Sequence, residues 1–200
     1  MIYLYGAGGH GLVIQEILQS VGRTVLAFID DSNKSTVYGG MPVIRSKDLK
    51  IQEGSLCIVS IGSNARRREV VNKLKDYVFA TAIHKAAIVA STAKIGPGTV
   101  VMAGAILNPH CVIGKHCIIN TSASVDHECI IGDFVHISPN ATLCGNVKVG
   151  DNSWVAAGAT IIPNITIGKN VVVGAGSVVI RDTPDNCTVV GNPARIIKNG

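Results

Sequence analysis

From Ile83 onward, every sixth residue of the chain is aliphatic: Ile83, Val89, Ile95, Val101, Leu107, Ile113, Ile119, Val125, Ile131, Ile137, Leu143, Val149, Val155, Ile161, Ile167, Val173 and Val179. Four places later in each hexad stands a small or β-branched residue, from Ala87 and Ala93 through Cys111, Cys117 and Cys129 to Ser177 and Thr183. A helix needs apolar positions three or four apart. This period is six, the run is dense in Val and Ile, and Gly, Asn and Asp recur between them. Helix is therefore excluded, and short strands separated by corners are predicted. A corner every six residues closes a triangular coil of eighteen, with the aliphatic residue on the axis and the small one near the corner. The seventeen hexads make about six coils, or roughly 27 Å of strands stacked at ~4.8 Å.

The first 82 residues have another rhythm. Ile2 to Tyr5 reads as a strand, followed by a glycine-rich turn. A helix with Ile14, Ile17, Leu18 and Val21 on one face comes next, then strand Val25 to Ile29, a βαβ start. A further strand, Leu56 to Ile61, ends in Gly62-Ser63-Asn64. It precedes a basic helix from about Ala65 to Tyr77 with Val71, Leu74 and Val78 on its buried side. Strand Val78 to Ile83 leads into the first coil. The predicted organisation is a Rossmann-like α/β domain over residues 1–82, an all-β parallel β-helix over 83–184 and a tail over 185–200.

Composition narrows the function classes. Apolar residues make up 47% of the chain, which excludes disorder. No apolar run reaches the ~18 residues of a membrane span and the N-terminus lacks a basic leader, so a cytoplasmic protein without membrane insertion is expected. The net charge of +5 suits phosphate-bearing ligands, yet the cations are scattered and only 4% of residues are aromatic, which argues against nucleic acid. Six cysteines form no CxxC pair and are expected to be reduced and mostly structural. No spacing supports a metal site.

Gly6-Ala7-Gly8-Gly9-His10-Gly11 fits G-x-G-x-x-G after a strand and before a helix, with Asp30 nineteen residues past its last glycine. Glycines let the backbone approach a diphosphate, and a helix N-terminus offers unpaired N–H groups. About 82 residues supply only one mononucleotide-binding half, which favours a ligand such as a UDP-sugar over NAD.

The hexad spacing resembles the hexapeptide-repeat transferases, which implies a left-handed coil. Tyr5-Gly6-Ala7-Gly8-Gly9-His10-Gly11, Asp30-Asp31, His127-Glu128 and Gly191-Asn192-Pro193-Ala194 extend the likeness over essentially the whole chain. Together they resemble bacterial sugar acyltransferases of the PglD and NeuD type. The resemblance implies nucleotide-sugar binding by Gly8, Gly9, His10, Asp30, Asp31 and Gly62, with Asn120 also on the substrate. It implies His127 as general base with Glu128 as its acidic partner, and acetyl-CoA as co-substrate near His136, Ala157 and Ala175. It also implies a homotrimer, because the acyl-donor groove lies between prisms.

His127 occupies the outward third place of its hexad, and a neutral imidazole suits an amine that sheds a proton while attacking a thioester. One coil is eighteen residues, so Pro109 should lie beneath His127 and Gly145 above it. The same register stacks Cys144 over Asp126, which leaves a cysteine nucleophile as an alternative. His84, His110 and His116 read as surface residues. The expected activity is N-acetylation of the 4-amino group of a UDP-linked sugar for a surface glycan or glycoprotein. The alternatives are O-acetylation of sialic acid or a related sugar, a nucleotide-sensing trimeric scaffold, and NAD-dependent chemistry.

Overall fold

The computed structural model describes residues 2–49, 55–74 and 77–199. Its N-terminal part is built from β1 (Ile2–Tyr5), α1 (Gly9–Ser20), β2 (Val25–Ile29), β3 (Val37–Tyr38), β4 (Met41–Ile44), β5 (Leu56–Val59), α2 (Asn64–Lys73) and β6 (Val78–Phe79). The sheet order is β3-β4-β2-β1-β5-β6, parallel throughout except for the β3–β4 hairpin. β1 lies between β2 and β5, so successive connections leave it toward opposite sides and open a crevice at its C-terminal end. Gly11 cannot be any larger residue: an added Cβ would sit 2.6 Å from the Gly6 carbonyl oxygen and 2.8 Å from the Phe28 ring. This close approach seats α1 on the sheet, where Ile14, Ile17 and Leu18 are buried with Leu4, Phe28 and Ile58.

The repeat forms a left-handed prism of three parallel sheets made of two-residue strands, each pairing with the strand eighteen residues on. The first face runs from Ala82–Ile83 to Val172–Val173, the second from Ile88–Val89 to Val178–Val179 and the third from Lys94–Ile95 to Thr166–Ile167. The hexad aliphatics and the predicted small residues fill one continuous core. Interior polar groups are satisfied by the coil itself: the Thr99 hydroxyl donates to the Gly114 carbonyl at 2.8 Å and the Ser153 hydroxyl to that of Gly168 at 2.7 Å.

The corners follow an equally strict rule. From Gly98 to Gly176 every sixth residue has a positive φ, and most of these are Gly or Asn, the residues that enter the left-handed region most readily. His110, His116, Ser122, Glu128 and Phe134 are the exceptions. Past the repeat, Cys187–Gly191 joins the first face beside Val172–Val173 and pairs antiparallel with Ala194–Asn199, so the expected tail extends the stack as a hairpin.

Three local expectations are corrected. α2 stops at Lys73, so Val78 lies beyond it and is 62% exposed on an edge strand; the helix buries Arg67 and Val70 instead, with Leu74 at its C-cap. Val21 caps α1 and is 42% exposed. The predicted strand Val78 to Ile83 divides into β6, in the N-terminal sheet, and Ala82–Ile83, the first rung of the prism. Ala82, Val100, Met102 and Ile118 pack with α1 residues, so the N-terminal part sits on the first face. No helix among the described residues is long and apolar enough to cross a membrane.

Candidate active site

A cavity of about 550 Å³ opens at the C-terminal ends of β1, β2 and β5. Its walls include Gly6 to His10 after β1, Asp30 to Ser32 after β2, Ser60 to Gly62 after β5, and Arg66, Glu69 and Lys73 from α2. Every predicted substrate-binding residue of the N-terminal part is therefore brought to one place; Asn120 stands apart on the prism. Gly8 is the N-cap of α1 and makes no side-chain cap, and Gly8, Gly9 and Gly62 each face open space where a Cβ would stand. The first turn of α1 carries no acidic residue, so its N–H groups and dipole are available to an anion.

The aspartates that follow β2 shape this cavity. Asp30 accepts from the Ala7 amide at 2.8 Å, the Ser32 amide at 2.8 Å, the Ser32 hydroxyl at 2.7 Å and the Asn33 amide at 2.9 Å. Desolvation pushes its carboxyl up, but these hydrogen bonds outweigh that and hold it below the ordinary carboxylate range. Asp30 thus fixes the glycine turn against the following loop. Asp31 accepts from the Ser46 hydroxyl and amide at 2.7 and 2.8 Å and from the Tyr5 hydroxyl at 3.3 Å. Its carboxyl is likewise held low, chiefly by Ser46.

His10 reaches into the wall with Nε2 buried and unpartnered. Desolvation, with the Arg67 charge behind it, pushes its pKa down to about 4, so the ring is neutral at pH 7. Gly62 also borders a second cavity, about 480 Å³, formed on the first face by Ser63, Asn64, His136, Asn152, Trp154 and Val172. His136 stacks on Trp154 with ring centroids 6.3 Å apart, and its Nε2 lies 3.0 Å from the Asn120 amide nitrogen. Because that nitrogen can only donate, His136 accepts at Nε2 and is neutral. Desolvation, then Arg67, then His10 lower its pKa to about 3.

His127 lies on another edge of the prism, the corner between the second and third faces, where it is exposed and lines neither cavity. Its Nδ1 is 3.1 Å from Glu128 Oε2, its amide donates to Asp126 Oδ1 at 2.8 Å, and Asn108 Nδ2 anchors that same oxygen at 2.8 Å. With Nδ1–H donating to Glu128 Oε2, Nε2 carries the free lone pair. Gly145 stands above as the register requires, and a Cβ there would come within 2.6 Å of Nε2 and Cε1. Gly145→Ala should displace the imidazole. The melting temperature should stay nearly unchanged, because an exposed ring moves cheaply; if His127 is the base that the resemblance implies, kcat should fall about 100-fold.

Glu128 has φ 60°, in a corner position where later coils use Asn or Gly. A longer side chain there costs about 1 kcal/mol, and an exposed ion pair with His127 returns little stability. Glu128→Asn should leave stability equal or raise it by about 0.5–1 kcal/mol; if Glu128 is the acidic partner that the resemblance implies, turnover should fall by an order of magnitude or more, read by thermal melts and initial rates.

Ala157 and Ala175 are exposed at the corner between the first and second faces, one coil apart. Cys144 is part-buried beside the His127 coil and offers its carbonyl to the Cys129 thiol at 3.2 Å. His110 is exposed and His84 part-buried, but His116 is a correction to the surface reading. It is 4% exposed, edge-on to Phe79 at 4.5 Å and stacked on Phe134 at 5.1 Å. Arg67, which the sequence left within a basic run, is the other residue missed; the spacing 67, 70, 74 with Val70 and Leu74 was the available signal. No cluster of three or more metal-ligating side chains occurs among the described residues.

A switch-point cavity carried on a hexad prism is the architecture that the resemblance to hexapeptide-repeat transferases implies. Residues 1–74 match the PglD N-terminal domain, and residues 92–127, 128–162 and 146–181 match the bacterial transferase hexapeptide (six repeats). The chain is 38% identical to a single-residue mutant of perosamine N-acetyltransferase from Caulobacter crescentus, solved with CoA and GDP-perosamine, with TM-score 0.95 over 99% of this chain and 97% of that one. It is 37% identical to the acetyltransferase domain of PglB from Neisseria gonorrhoeae, solved with acetyl coenzyme A, with TM-score 0.92 over 98% of each chain. Among curated proteins, UDP-N-acetylbacillosamine N-acetyltransferase of Bacillus subtilis is 42% identical over 111 residues. That match spans about half of each protein, 51% of this chain and 51% of the relative. The chain belongs to the hexapeptide-repeat sugar N-acetyltransferases with a PglD-type N-terminal domain.

Proposed function

We propose that this protein transfers the acetyl group of acetyl-CoA to the 4-amino group of a UDP-linked amino sugar, with His127 as general base. The observation that carries this reading is the His127–Glu128 pair, whose 3.1 Å contact leaves Nε2 free beneath Gly145. The amine attacks the thioester carbonyl and forms the C–N bond while Nε2 takes the ammonium proton. Collapse of the tetrahedral intermediate breaks the C–S bond, and the imidazolium returns its proton to the thiolate, releasing free CoA. Glu128 stabilises the transient imidazolium. Relatives that bind CoA and a nucleotide sugar support both co-substrates, and Gly8, Gly9, His10, Asp30, Asp31 and Gly62 supply the nucleotide site.

Within one chain His127 and the nucleotide cavity lie on different edges of the prism, so a complete site calls for a second copy. Val112 and Ile130, adjacent on the third face beside His127, are 40% and 49% exposed, an apolar surface suited to burial against another prism. We therefore read the working unit as a homotrimer, with acetyl-CoA passing His136, Ala157 and Ala175 between subunits. The test is thiol release from acetyl-CoA with UDP- and GDP-linked 4-amino sugars, nucleotide sugars lacking the amine, and free sialic acid. Release confined to UDP-4-amino sugars is expected; release with GDP sugars alone would transfer the reading to that nucleotide, and release with sialic acid alone would replace it with O-acetylation.

A further inference from the structure

Arg67 is 1% exposed, and no carboxylate pairs with it among the described residues. Its guanidinium is instead surrounded by backbone and amide oxygens from both halves of the molecule. Nε donates to the His116 carbonyl at 2.7 Å and Nη2 to that of Phe134 at 3.1 Å, both on the prism. Nη1 donates to the carbonyls of Ile61 and Gly62 at 2.9 and 3.1 Å, in the loop after β5. Nη2 also donates to Asn64 Oδ1 at 2.8 Å, and Asn64 Nδ2 continues to the Ser153 carbonyl at 3.0 Å.

Burying an unpaired cation costs several kcal/mol, and a well-packed apolar residue often serves stability better. Stability is thus a poor reason for this side chain. What the planar five-donor fork does, and an apolar or ammonium group cannot, is hold four carbonyls from two domains in one fixed arrangement. Two of them belong to Ile61 and Gly62, and Gly62 is the residue shared by both cavities.

We propose that Arg67 is a positioning residue of the transfer reaction: by clamping the Ile61–Gly62 loop to the prism it sets where the sugar leaves the nucleotide cavity relative to the coil bearing His136. This rests on the reading that the cavity holds a nucleotide sugar. The same charge acts, behind desolvation, on His10 and His136 on either side of the border, favouring their neutral forms.

The test uses the full chain with Arg67→Lys, which keeps the charge but has too few donors for the clamp, and Asn64→Ala, which keeps Arg67 and removes one acceptor. Rates at saturating acetyl-CoA and nucleotide amino sugar are measured with calorimetric binding of UDP and GDP and amide hydrogen exchange. In Arg67→Lys kcat should fall about 100-fold while nucleotide affinity stays within about threefold, with a smaller fall in Asn64→Ala. Exchange should quicken at 61–65 and at the facing coils around 116 and 134. A merely structural role would lower the melting temperature yet leave kcat of the folded protein intact, and that result overturns the proposal. If the wild-type protein turns over no nucleotide amino sugar, the proposed function fails and exchange decides alone: unchanged exchange at 61–65 in Arg67→Lys sinks the positioning role.

Discussion

His127→Ala should lower kcat by about 10²- to 10⁴-fold, the range for loss of a positioned general base, while changing stability by less than about 0.5 kcal/mol. The two expectations separate because the ring is exposed, packs in no core, and has the Glu128 carboxylate as its side-chain partner. If the imidazole accepts the ammonium proton, the loss is in kcat and kcat/KM alike, with little change in KM for acetyl-CoA. His127→Gln, which can hydrogen-bond but cannot take a proton at neutral pH, should be equally impaired. Retained turnover in His127→Gln with loss in His127→Ala would make the residue a binding group and leave the base to be found elsewhere.

The second large effect is on stability below neutral pH. His10, His116 and His136 have pKa values pushed down to about 4, 4 and 3, in each case first by desolvation and next by Arg67. Asp133 opposes the shift at His116, and Lys115 adds to it. The unfolded chain binds these protons near pH 6.5, whereas the folded chain refuses them until near pH 4. Between those values unfolding takes up protons, so stability falls as pH falls. Each imidazole contributes up to about 1.4 kcal/mol per pH unit, and three together up to roughly 4 kcal/mol per unit. Denaturant midpoints should be level between pH 7 and about 8, before the buried thiols begin to count, and drop steeply from about pH 6.5 to 4.5, ahead of carboxylate titration. His116→Phe, which keeps an aromatic ring between Phe79 and Phe134, should reduce that slope by about one third; an unchanged slope would remove His116 from the account.

The axis of the prism is legible in the sequence because a hexad repeats one local environment: whatever satisfies Ile119 also satisfies Ile137 and Val155. The corners are legible where Asn140, Asn146 and Asn152 obey the preference for left-handed φ. They stop being so where another part of the chain decides. His116 and Phe134 occupy corner places and look outward by register, yet Phe79 and Arg67, 37 and 49 residues upstream of His116, cover that corner. Periodicity carries no information about which edge of a prism a neighbouring domain will hide. The same limit applies to α2, where Arg66, Arg67 and Arg68 are alike in sequence and only helical phase against Val70 separates the buried one from its exposed neighbours.

The cavity was readable as a set of residues but not as a division of labour. The glycine turn, Asp30-Asp31 and Gly62 converge as their strand-end positions require. Asp30, however, spends its oxygens on Ala7, Ser32 and Asn33, which makes it a support for the turn. That outcome depends on loop geometry after β2, which no spacing rule encodes. The separation of His127 from the cavity likewise follows only once the faces are assigned.

The most direct test of the account is mixing two inactive variants, His127→Ala and a cavity variant, Gly8→Trp, after brief dissociation and reassembly, with thiol release from acetyl-CoA and a UDP-4-amino sugar as readout. If each site combines His127 of one subunit with the nucleotide cavity of another, mixed assemblies regain activity that neither variant has alone. Failure to regain any, with mixed assemblies demonstrated by mass, would contradict a site shared between copies and confine catalysis to a single chain.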